Sequence, residues 1–148
     1  MPVETCGGYR RIACLIPSDG EGLAWLGRRA RLLADVYGAE LWLFCVVEYL
    51  SVLPVDEGGP VTLDGEMLRV LEVRGEHHLQ QWGEQLRVAA QRRVLLLGDR
   101  VAQVLAQLRR PGVELLLVGD DELSGWWAER ALVHRAQCEV LLVRRPLP

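Results

Sequence analysis

The chain has 148 residues, half of them hydrophobic, with 17 basic and 20 acidic residues and a formal net charge of -3. That length suits one domain with its own core, and the mild acidity without a basic stripe argues against nucleic acid as a partner. Every basic residue is Arg and there is no Lys or Asn; this is the mark of a GC-rich genome, and it excludes any mechanism that needs a lysine.

The opening segment to Arg10 has no apolar stretch of signal-peptide type, and no apolar run reaches the roughly 20 residues that span a bilayer. Cys6, Cys14, Cys45 and Cys138 lie far apart, with no CxxC spacing. A soluble, reduced, cytoplasmic protein with small buried thiols is the expectation.

Arg11 to Ile16 (RIACLI) is a continuous apolar run, as in a strand buried on both faces, and Pro17 ends it. Ser18 or Asp19 can cap the following helix, in which Leu23, Leu26, Ala30, Leu33 and Tyr37 recur at helical spacing until Gly38. Arg28, Arg29 and Arg31 then fall mainly on the solvated side. Leu41 to Val47 (LWLFCVV) is a second buried strand, rich in β-formers.

Residues 48–63 hold Pro54, Gly58, Gly59 and Pro60 without a sustained period, which predicts a long connection. A long helix follows from Asp64 to near Gln91, marked by Leu68, Leu71, His78 or Leu79, Trp82, Leu86 and Ala89 or Ala90. Val94 to Leu97 is the third strand, closed by Gly98 and Asp99. Val101, Val104, Leu105 and Leu108 form one face of a short helix that Pro111 and Gly112 end. The fourth strand is Val113 to Val118. An acidic turn (Gly119, Asp120, Asp121, Glu122), a helix with the pair Trp126 and Trp127, and a last strand, Val140 to Val143, complete the chain.

Strands alternating with helices predict a three-layer α/β/α domain over residues 1–148, with a five-stranded parallel sheet in the order 3-2-1-4-5. Ligands in such sheets bind beyond the carboxyl ends of the strands, at the switch point between the first and fourth.

This pattern resembles the universal stress protein family over nearly the whole chain. The residues that carry the resemblance are YRRIACLIPSDGEGLAWLGRRARLLADVYGAELWLFCVV, LLLGDRVAQVLAQLRRPGVELLLVGDD and AERALVHRAQCEVLLVRR, the last with its Cys just before an apolar final strand. The resemblance implies a small adenine-nucleotide-alpha-hydrolase-like protein, homodimeric, linked to stress survival or to regulation of a transporter or other partner. One branch of the family binds ATP through Gly-x-x-Gly, about nine residues, then Gly-Ser or Gly-Thr, whose backbone N–H groups cradle phosphates.

Here only the first glycine of that motif, Gly119, is present. Glu122 stands in the second glycine's place, Trp126 and Trp127 where the Gly-Ser pair would fall, and Pro17 where an Asp near the adenine would stand. Val46 and Val47 do match. Asp120, Asp121 and Glu122 crowd the phosphate turn, with Asp19 and Asp99 at the same sheet edge, and each repulsion costs about 1 kcal/mol at moderate screening. The expectation is therefore the branch without ATP and without a cofactor. A nucleotide-binding member with altered loops is the alternative; its ligand would meet Ile16, Ser18, Val46, Gly119 and Ser124.

Asp19, Asp64, Asp99 and Asp121 each precede a predicted helix, where a carboxylate caps free N–H groups; a cation site is the competing reading. His77 and His78 diverge by about 100° on a helix and cannot chelate one ion together. His134 and Cys138 are four apart, but Cys138 falls past the helix end, so no metal site is expected. No catalytic residue is assigned either: no nucleophile sits on a recognisable strand-to-helix elbow, and a phosphoacceptor receiver domain would need the missing lysine. Of Trp126 and Trp127, one belongs in a groove or interface, or both are covered by the 48–63 connection. Val140, Leu141, Leu142 and Val143 form an apolar edge strand, which pairing with a second copy would cover, as in the family.

Overall fold

The computed structural model describes residues 8–17, 20–48, 53–55, 59–61, 65–120 and 126–147. Strands β1 (Arg11–Ile16), β2 (Glu40–Val47), β5 (Arg93–Leu97), β6 (Leu115–Gly119) and β7 (Glu139–Val143) form one parallel sheet in the order β5-β2-β1-β6-β7. Counting only these five, the order is the predicted 3-2-1-4-5. The helices are α1 (Arg28–Tyr37), α2 (Gly65–Gln85), α3 (Arg100–Arg109) and α4 (Trp126–Arg135).

Burial follows position in the sheet. The central strands β1 and β6 are buried almost end to end, whereas the edge strand β7 alternates between exposed and half-buried residues until Val143. Side chains alternate between two cores. One face carries Ile12, Cys14, Leu43 and Leu117 against Leu26 and Ala30 before and within α1, and Leu79 and Trp82 of α2. The other carries Leu15, Phe44, Val46 and Leu116 against Val104 and Leu108 of α3 and Leu132 of α4. Trp82 is wholly buried; a Trp that loses about 200 Å² contributes at most about 5 kcal/mol of apolar transfer.

Three elements depart from the sequence reading. The 48–63 connection contains a short antiparallel hairpin, β3 (Leu53–Val55) with β4 (Gly59–Val61), with Pro54 opposite Pro60. The first helix opens with a π-type turn over Leu23–Gly27, and Gly22, at φ 100, holds its N-cap position without a side-chain cap. Neither Ser18 nor Asp19, both outside the described residues, stands at that position.

The third departure is the end of α2, which stops at Gln85 rather than near Gln91, with a separate 3-10 turn over Ala90–Arg92. The chain reverses there in a Schellman arrangement: Val88 N–H donates to the Gly83 carbonyl at 2.8 Å and Arg87 N–H to Glu84 at 3.4 Å. Arg87 takes the left-handed conformation, φ 56, that glycine usually fills. No glycine marks this stop in the sequence, so periodicity alone ran past it. The guanidinium of Arg31, on α1, donates to the Leu86 carbonyl at 3.0 Å and so occupies an acceptor the helix leaves open.

Candidate functional site

The carboxyl ends of the strands carry the polar residues of interest. Beyond β6, Asp120 donates its backbone N–H to the Val143 carbonyl at 3.0 Å and accepts from Arg145 N–H at 3.4 Å. The Arg145 guanidinium reaches Glu21 at 3.2 Å and lies 5.9 Å from the centre of the Trp25 ring. Counting acids along the sequence missed this cation. Arg145 follows the last strand in the chain yet reaches the edge beyond β1 and β6, where it meets Glu21, an acid also left out of that count, so the pair leaves the acidic balance there unchanged.

Of the nucleotide contacts expected from sequence, three fall among the described residues. Ile16 and Val46 are both buried, but in the cores on opposite faces of the sheet, and Gly119 is a buried strand residue. Ser18 and Ser124 lie outside the described residues, as do Glu122, Asp121 and the side chains of Trp126 and Trp127. The capping reading holds for Asp99, whose Oδ2 accepts from Ala102 N–H at 2.9 Å at the start of α3. Asp19, Asp64 and Asp121 fall outside the described residues.

Val46 does line a cleft of about 250 Å³ at the end of β2, between α2 and the start of α3. Cys45, Val47 and Leu71 complete its apolar floor; Arg74, His78, Arg100 and Glu48 supply its polar groups. Arg100 reaches Glu48 at 3.6 Å, and its side chain is only 13% exposed. Gly98, with φ 126, makes the turn that brings α3 here, its N–H donating to the Val47 carbonyl at 3.1 Å. Gly75 lets α2 come down onto the sheet: a Cβ there would stand 2.8 Å from Leu95 Cδ1 and 2.9 Å from Val47 Cγ2. The sequence reading did not find this cluster. Its one signal was the spacing of Arg74 and His78, four apart on a helix, with no acid three or four positions from either.

The thiols of Cys14 and Cys138 are not activated. Burial pushes Cys14 far up, and burial followed by the neighbouring Glu139 carboxylate raises Cys138, which packs at the rim of the α3 and α4 core. A reactive cysteine needs the opposite shift. Among the described residues, no group of three or more His, Cys, Asp or Glu side chains converges on a point where a metal ion could sit.

Among the described residues the final strand lies at the sheet edge, paired with β6 on one side. Val140 and Leu142 are half-buried toward α3 and α4, and Val143 is buried on the opposite face. Leu141 shares the Val143 face and is 37% exposed. The main sheet contacts of α1 are β1 and β2 and those of α2 are β2 and β5, so Leu141 stands beyond their cover. No helix among the described residues is long and apolar enough to cross a membrane.

No family model matches the chain. A curated sequence relative, universal stress protein A homolog 2 of Coxiella burnetii, is 26% identical over 141 residues, which cover 92% of this chain and 95% of the relative. Among solved structures, a universal stress protein in complex with cAMP superposes with TM-score 0.64 at 13% identity, over 93% of this chain and 98% of that one. A Pseudomonas aeruginosa UCBPP-PA14 chain assigned to the universal stress proteins gives TM-score 0.67 at 9% identity; the match covers 93% of this chain but spans only 48% of that longer one. At those identities the structural likeness speaks for the fold. The family read from the sequence is thus the family of the sequence relative and of these fold neighbours.

Proposed function

We propose that this chain, universal stress-type in fold and in its sequence relative, is a regulatory or stress-response protein that works through homodimerisation and protein contacts, without ATP and without catalysis. The observation that carries the reading is the edge strand β7, with Leu141 37% exposed on a face that no helix among the described residues covers. An exposed apolar edge is a template for pairing, and a second copy of the same strand satisfies both its backbone groups and its side chains. Glu122 in the second glycine's place and Trp126 and Trp127 in that of the Gly-Ser pair support the part concerning ATP, because a side chain there keeps the backbone from a triphosphate. A cytoplasmic location fits the separated thiols.

Leu141→Glu should turn a dimer into a monomer in sedimentation equilibrium; an oligomer that ignores the charge removes the edge-pairing idea. Equilibrium dialysis with ATP and magnesium should give no saturable binding, and micromolar affinity would overturn that part of the reading.

The second reading is an adenine-nucleotide binder with altered loops. Its support is the fold neighbour whose structure holds cAMP, together with Arg145 beside the acidic edge. Adenine nucleotide retained through purification would favour it.

A further inference from the structure

We propose that the cavity where α3 and α4 end, at the amino edge of the sheet, binds a small aliphatic monocarboxylate through Arg109 and Arg135. The inference goes beyond the dimer and ATP readings and depends on neither. Arg109 is the last residue of α3 and Arg135 the last of α4. Both line one cavity of about 260 Å³, with Gly112 from the turn that follows α3 and Gln137 from the turn that precedes β7. The strands β6 and β7 begin beside it, so it lies at the opposite end of the sheet from the switch point. A basic residue at a helix end is accounted for by the helix dipole alone. That compensation does not account for two such ends opening on the same cavity.

Charge and lining select the ligand class. No carboxylate lines the cavity, and neither Arg109 nor Arg135 forms an ion pair among the described residues. The acids next to its lining in sequence are engaged elsewhere: Glu114 accepts from the backbone N–H groups of Arg10 and Arg11, and Glu139 from the Tyr9 hydroxyl. Each helix end carries about half a negative charge, so the two together offset about one of the two guanidinium charges and leave an excess of about one. A monoanion matches that excess better than a dianion, and the guanidinium fork pairs with a carboxylate through two parallel hydrogen bonds. Gln137 adds an amide donor. The rest of the lining is apolar: Leu105, Leu108 and Val113, the last two buried in the core. That wall takes a hydrocarbon body, and each methylene buried on it is worth about fourfold in affinity. The volume is below the roughly 300–1,000 Å³ of pockets for drug-sized ligands, so the body is short.

The test titrates hexanoate, acetate and inorganic phosphate separately into the intact, isotope-labelled chain and follows backbone amide shifts by nuclear magnetic resonance. Hexanoate should saturate with a dissociation constant of about 1 mM or tighter, with the shifts centred on Gly112 and Gln137. Acetate, which lacks the hydrocarbon body, should bind at least about tenfold more weakly, and phosphate more weakly than hexanoate. Arg109→Gln and Arg135→Gln should each weaken hexanoate about tenfold, the loss of one charged hydrogen-bond partner. Both positions are exposed, and the spectra of the variants show directly that each is folded. No saturation at about 10 mM hexanoate overturns the site, as do shifts centred on Gly119 and Asp120 at the opposite edge, or an affinity that either substitution leaves untouched. Acetate binding as tightly as hexanoate, or phosphate binding more tightly, overturns the ligand class.

Discussion

The indole N–H of Trp82 donates to the carbonyl oxygen of Gly20 at 3.3 Å, fastening the loop after β1 to the last turn of α2. Gly20 itself has φ 75, and a Cβ built on it would run into the His78 ring. The loop that leads to the switch point and the helix that walls the β2 cleft are therefore one mechanical unit. Gly20→Ala should destabilise the protein by about 1–3 kcal/mol, from the left-handed backbone and the clash together. The two causes separate in a double-mutant cycle with His78→Ala, which removes only the clash. Urea midpoints that add without coupling would show that His78 is not the obstacle.

Arg87 offers a gain in stability. Its left-handed conformation costs about 1–2 kcal/mol that glycine would not incur, against about 0.5–1 kcal/mol for the added freedom of an unfolded glycine chain. Its ion pair with Asp35, 3.7 Å long on exposed side chains, adds little. Arg87→Gly should raise the urea midpoint by the equivalent of up to about 1 kcal/mol with an unchanged slope. A lower midpoint would mean that the pairing with Asp35 outweighs the backbone term.

These two positions show what the sequence could and could not disclose. The five strands and their order were legible because apolar runs of four to seven residues, separated by helical periods, admit few other topologies. The end of α2 was not, because a Schellman turn with Arg in the glycine position carries no local sign. The hairpin at residues 53–61 was hidden for a similar reason: Pro54 and Pro60 read as breakers, yet paired prolines are tolerated in a two-stranded ribbon open on both edges. The edge strand was read correctly from composition and order. The cleft was missed because Arg74, His78 and Arg100 come together only when α2 and α3 dock on adjacent strands, and no linear spacing links residue 74 to residue 100.

Gly75 sets two rules against each other. On helix propensity alone, Gly75→Ala should stabilise α2 by up to about 1 kcal/mol. Contact decides otherwise: the new methyl would sit 2.8 Å from Leu95 Cδ1 and 2.9 Å from Val47 Cγ2, both packed on the sheet. Overpacking of this kind costs about 1–3 kcal/mol, so a net loss of stability is expected in thermal unfolding, and the larger Gly75→Leu should lose more. A stabilised Ala variant would mean that α2 can lift from the sheet at no cost, in which case the cleft it walls is not a fixed shape.

Tyr9 ties the start of the chain to the edge strand. Its hydroxyl donates to the Glu139 carboxylate, and its ring meets Tyr37 edge-on at 5.0 Å between centroids. The hydrogen bond to Glu139 first, then burial, then the Glu139 charge push the phenol up from 10.0 to about 12. The folded state therefore favours the neutral phenol. Stability from this contact is whole below about pH 10, where the unfolded phenol is also neutral, and is lost as the pH rises through 10 toward 12. Ultraviolet titration should find one of the three tyrosines ionising near 12, and Tyr9→Phe should remove that step. Glu139→Gln should bring it back toward 10 while leaving the other two unchanged. A high step that survives Tyr9→Phe would assign it to another tyrosine and remove this link between the leading segment and β7.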